Sequence, residues 1–239
     1  MISISLKKKL FIVSLFAIAM GFLEAIVVVY IRELYYPGGF GFPLKLIPPN
    51  IFTIELVREL TTLIMLVCIG ILAGRTPIEK FSWFLFTFGV WDIFYYIALK
   101  ILINWPASLF TWDILFMIPV TWIGPVLAPV ICSITMIFLS LAVVLLAKKN
   151  YIVEIYRVSW ILIICGAVII FISFIHDYTG LLIREGYFSK GGPSLLDPGL
   201  ADAITSFIPH RFQWGLFGIG EILILTGIIW TIYKTSRSE

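Results

Sequence analysis

A few ionisable side chains stand out in this chain because almost everything around them is apolar. The stretch Ile54-Glu55-Leu56-Val57-Arg58-Glu59-Leu60 sets two glutamates four residues apart, with an arginine beside the second. On a helix Glu55, Glu59 and Thr62 share one face and Arg58 is adjacent to it. Asp92 is followed by Tyr95 and Tyr96, so phenolic hydroxyls fall three and four residues from a carboxylate. Glu24 and Glu221 each stand in long apolar runs, and His176-Asp177 end another. Carboxylates in such surroundings suit general acid and base roles, so Glu59, Asp92, Glu24 and Glu221 are the candidate catalytic groups. Arg58, Tyr95 and Tyr96 are the candidate substrate-binding groups: a guanidinium orients a carboxylate or an anionic head, and a phenol donates a hydrogen bond. Carboxylates joined by a histidine also match Mn²⁺, Fe²⁺ or Zn²⁺ by ligand type. Glu55, Glu59 and His176 are therefore the candidate ligands of a divalent transition metal. No HExxH, ExxH or paired CxxC motif accompanies them.

The elements that position these groups follow from composition. The 239 residues are 61% hydrophobic and 13% charged, with a mean hydropathy of +1.06. Those values define an all-α, polytopic membrane helix bundle and exclude an ordinary soluble domain. Apolar runs predict six spans, at roughly 10–31, 53–74, 81–102, 125–147, 158–178 and 212–233. The second run decides where the charges go. Leu60 to Gly74 alone would rise about 22 Å, short of a bilayer core of about 30 Å. Its helix must reach back through Glu59, Arg58 and Glu55. The chain reads as a single transmembrane domain, 1–239. Lys7-Lys8-Lys9 and the apolar run after them resemble a signal peptide, but apolar residues continue to Ile31, which fits a retained first helix.

Lysine and arginine cluster at Lys7–Lys9, Arg75, Lys80, Lys148, Lys149, Arg157, Lys234 and Arg237, between short connections. The positive-inside rule then puts both termini in the cytoplasm of a multi-pass protein of the cell membrane. The long connections lie on the other side and read as a cover. One of them, at about 105–122, is apolar yet broken by Pro106 and Pro119, and reads as an interfacial helix or re-entrant piece. Another carries Asp197-Pro198 and Pro209, which frame a short helix at about 198–208. By depth, Glu24, Glu55, Arg58, Glu59, Asp92 and Glu221 all fall in the middle or extracytoplasmic half of the spans. Asp113 is a further candidate carboxylate in the loop. Cys68, Cys132 and Cys165 lie singly in spans and read as inert thiols.

Buried acids in excess over cations need protons, water or a bound cation. The reading that fits is a membrane-embedded enzyme with an extracytoplasmic site, acting on a lipid or another amphiphile. A cation- or proton-coupled transporter and a non-catalytic subunit or scaffold of a larger membrane complex are the alternatives. Membrane lipid is the expected partner, with a homo-oligomer or membrane complex as the assembly; the net charge of +3 gives no reason to invoke nucleic acid. The order Glu55-Leu56-Val57-Arg58-Glu59 departs from the adjacent glutamates of CAAX-type intramembrane glutamyl proteases. No P-loop or G-x-S-x-G motif is present either.

Overall fold

Each of the six apolar runs forms one long helix. They are α1 (Leu6–Tyr35), α2 (Pro49–Ala73), α3 (Pro77–Ile103), α4 (Leu127–Lys148), α5 (Arg157–Arg184) and α6 (Trp214–Thr235). All six are long and apolar enough to cross a membrane. The structure is a computed structural model, and it describes residues 5–149, 151, 153–187 and 203–236. Local chemistry sets the helix ends. The Ser5 side chain accepts from the Lys8 N–H, and Thr76 does the same for Glu79, so α1 and α3 begin on capping hydroxyls. Pro49 occupies the first turn of α2, where a missing N–H costs nothing. Asn104 closes α3 in the left-handed region, at φ 52°.

α1, α2, α3 and α5 overrun the expected spans, while α4 and α6 stay within two residues of theirs. The 30 residues of α1 rise about 45 Å, well over a bilayer core, so its last turns carry Arg32 to the membrane edge. α2 begins before the charged stretch, so Glu55, Arg58 and Glu59 sit inside a continuous helix.

α3 is the hub of the bundle, with α1, α2 and α4 packed on it, while α5 pairs with α6. Lipid tails are as apolar as leucine, so burial alone does not drive these helices together; close packing through small residues does. Ala17 and Ala25 are fully buried, and between them Gly21 lies against α3. A Cβ there would stand 2.8 Å from the Trp91 carbonyl oxygen. α5 and α6 cross at Gly166 and Gly220, whereas Gly215 and Gly218 face open space.

The segment expected as an interfacial helix or re-entrant piece contains a β-hairpin. β1 (Trp112–Phe116) pairs antiparallel with β2 (Trp122–Pro125), with Asp113 opposite Gly124 and a bulge between Ile114 and Phe116. The reason is physical: the prolines remove helix donors, while Trp, Ile and Phe suit a pleated ribbon that pairs its own backbone groups. Trp122 stacks on Phe174 of α5, at 5.9 Å between ring centroids, which fixes the hairpin against the α5–α6 pair. Of the helix expected at 198–208, residues 203–206 are helical; 198–202 lie outside the described residues.

Candidate functional site

A cavity of about 120 Å³ opens where the C-terminal half of α1, the start of α2, the C-terminal half of α3 and the hairpin converge. That is several times the space a water needs. α1 contributes Glu24, Val28 and Arg32; α2 contributes Glu55, Arg58 and Glu59; α3 contributes Trp91, Asp92, Tyr95 and Tyr96. β1 and the turn after it close one wall with Asp113 to Met117, and the loop after α1 lays Tyr36, Phe40 and Ile47 over it. The connection after α1 thus forms part of the cavity wall.

Two ion-pair groups organise the polar lining. Arg58 donates Nε to Glu55 Oε2 at 2.7 Å and Nη1 to Glu24 Oε1, while the Thr62 hydroxyl donates to Glu24 Oε2 at 3.2 Å. This group ties α2 to α1. Arg32 donates Nη2 to Asp113 Oδ1 at 3.0 Å, and the Tyr96 hydroxyl reaches Oδ2 at 3.3 Å. This second group ties the hairpin to α1 and α3. Asp113 is almost fully buried, at 1% exposed. Burial pushes its carboxyl up to about 6, against Arg32, the Ile114 N–H and Tyr96, which all favour the charged form.

Glu59 and Asp92 are different. Both oxygens of Glu59 accept from the Met117 N–H, at 3.0 and 3.1 Å, and Asp92 Oδ2 accepts from the Ser133 hydroxyl at 2.8 Å. Neither has an ion-pair partner among the described residues. The cavity therefore holds five carboxylates against two guanidinium groups, and two of the five have only neutral donors. A set of this kind can accept protons, bind a cation, or receive the ammonium of a ligand.

The structure brings Glu24, Glu55, Arg58, Glu59, Asp92, Tyr95 and Tyr96 to one cavity. It separates Glu221 from them. Glu221 is buried between α6 and α4 beside Cys132, where Oε2 accepts from Thr135 at 2.8 Å. Glu221 was grouped with the others by depth alone, but depth does not fix helix rotation. Glu221→Gln should leave any ligand of the cavity in place, with a stability change within about 1 kcal/mol; lipid retention and thermal unfolding of the purified variant check this.

His176 also lies elsewhere. Its ring is half-exposed and pairs with the neighbouring Asp177 at 3.0 Å. Glu55, Glu59 and His176 are not gathered as a metal cluster, and no group of three such ligands is found among the described residues. Lys100, the other cation near the acids in sequence, turns outward and donates to the carbonyls of Asn104 and Pro106.

Arg32 is not among the candidates the sequence offers, because it falls just past the first predicted span at roughly 10–31. A signal was present: Glu24, Val28 and Arg32 repeat at steps of four and so share one face of a helix that continues past Ile31.

A second, apolar groove of about 480 Å³ adjoins the cavity. It runs along the other side of α2, lined by Phe52, Leu56, Val57 and Leu60, and faces Tyr178 and Leu182 of α5 across the hairpin turn. Met117 borders both spaces, and its N–H is the one held by Glu59.

Six apolar helices around this arrangement define a multi-pass integral membrane protein. No protein-family model matches the chain, and neither a curated protein nor a solved structure matches it.

Proposed function

We propose that the cavity receives the polar head of an amphiphile whose chain lies in the adjoining groove. Glu59 and Asp92 then act on that head as acid–base groups, from the extracytoplasmic side of the cell membrane. One observation carries this reading: the two carboxylates without an ion pair among the described residues line a cavity that shares Met117 with an apolar groove. A head group drawn by charge and a chain drawn by apolar surface are the two halves of a lipid. The side assignment rests on the lysine and arginine distribution.

The hydroxyls of Ser82, Thr87, Ser140 and Thr231 donate to carbonyls four residues back in their own helices. They leave little polar lining for a conducting path at that end of the bundle, so transport ranks below an enzyme. A non-catalytic scaffold has an observation of its own. The Arg58 and Arg32 groups tie α1, α2, α3 and the hairpin together, as structural clasps would.

Lipid analysis separates these readings. The wild-type protein should copurify with one class of amphiphile, enriched over the surrounding membrane. The double variant Glu59→Gln/Asp92→Asn should lose that enrichment by about tenfold, since each neutralised group forfeits a charge-assisted hydrogen bond. Unchanged enrichment, together with isolation in a stoichiometric complex, would favour the scaffold.

A further inference from the structure

Two cavity-lining residues carry a buried N–H that neither ion-pair cluster satisfies, Arg32 at Nη1 and Trp91 at Nε1, and only the first belongs to a cation. Arg32 is 7% exposed, and its Nη1 is buried without a hydrogen-bond partner among the described residues. Nη2 is already engaged by Asp113. The guanidinium cannot readily swing away to find another acceptor. It lies over the Phe40 ring at 4.3 Å and the Trp105 ring at 3.8 Å, stacked by both. A buried guanidinium N–H without an acceptor is costly, and such groups are normally satisfied by protein, water or ligand.

We propose that Arg32 Nη1 takes an anionic oxygen of the ligand, so that the cavity selects a zwitterionic head group: a primary ammonium and a phosphate or carboxylate together. The inference rests on the reading of the cavity as a head-group site, and it names the chemistry of the head. A purely anionic head would satisfy Arg32 but bring its charge among five carboxylates. A purely cationic head would answer Glu59 and Asp92 and leave Nη1 unpaired. A zwitterion answers both and adds no net charge. A primary ammonium fits better than a quaternary one, because Glu59 and Asp92 are hydrogen-bond acceptors and only the former carries N–H donors.

The test uses the full-length protein in detergent and four probes: short-chain phosphatidylethanolamine, short-chain phosphatidylglycerol, dodecylamine and free phosphoethanolamine. Affinities are read by native mass spectrometry. The wild-type protein should bind phosphatidylethanolamine roughly tenfold more tightly than dodecylamine or phosphatidylglycerol. Arg32→Lys should bring phosphatidylethanolamine down to the level of dodecylamine, since lysine keeps the charge but lacks the planar fork. Free phosphoethanolamine binding as tightly as its lipid would support the zwitterion and assign it a soluble source. Binding by the lipid alone would support it with a membrane source. Dodecylamine matching phosphatidylethanolamine on the wild-type protein would overturn the role of Arg32 while the head-group reading stands. No binding by any probe would overturn both. The wild-type comparison decides the matter even if the Arg32 variant fails to fold.

Discussion

Arg58→Ala is expected to destabilise the bundle by about 3 kcal/mol, the scale for removing one partner of a buried ion pair. The physical reason is the geometry of one guanidinium serving two helices. Arg58 holds Glu55 on its own helix and Glu24 on α1, and all three side chains are less than one-fifth exposed. Removing it leaves two glutamates facing the cavity, with only the Thr62 hydroxyl still bonded to either. Arg58→Lys should fall between, because a single ammonium lacks the fork that reaches both acids. Glu24→Gln in the Arg58→Ala background should recover part of the loss, since one uncompensated charge is gone. Thermal unfolding in detergent reports all three. An unchanged melting temperature for Arg58→Ala would mean that the pairing carries no stability.

Gly21→Val is the second large effect, and it acts through shape instead of charge. The Cβ position at Gly21 lies 2.8 Å from the Trp91 carbonyl oxygen and 3.0 Å from the Tyr95 nitrogen, both backbone atoms that cannot rotate aside. Any side chain there must push α1 off α3. Overpacking of a single methyl costs about 1–3 kcal/mol, and the branched valine adds bulk to that. The displacement would fall one turn from Glu24 on α1 and between Asp92 and the tyrosines on α3. Gly21→Ala should therefore lower both the melting temperature and lipid retention, and Gly21→Val should prevent recovery of folded protein. Normal expression and retention for Gly21→Val would show that α1 and α3 do not meet at this point.

Much of the architecture was legible in the chain. Six apolar runs became six helices because run length must match bilayer thickness, and a helix satisfies every backbone group within its own segment. The shortness of the run after Leu60 forced α2 back through Glu55, Arg58 and Glu59, and the helix does begin at Pro49. The hairpin was less legible. Its prolines forbade a regular helix, but nothing local says that Trp112 to Phe116 pairs with Trp122 to Pro125, since such pairing is a contact between separated residues.

The sequence by itself determined the type, number and approximate ends of the helices, and the depth of each charge along its own helix. Depth is set by 1.5 Å per residue and needs no neighbour. Only the tertiary structure decided which charges meet. Helix rotation and pairing are set by the close fit of small residues such as Gly21 against α3, which no single helix encodes. That fit brings Glu24 to Arg58, turns Glu221 toward Thr135, and sets Arg32 between Phe40 and Trp105, with one nitrogen unpaired among the described residues.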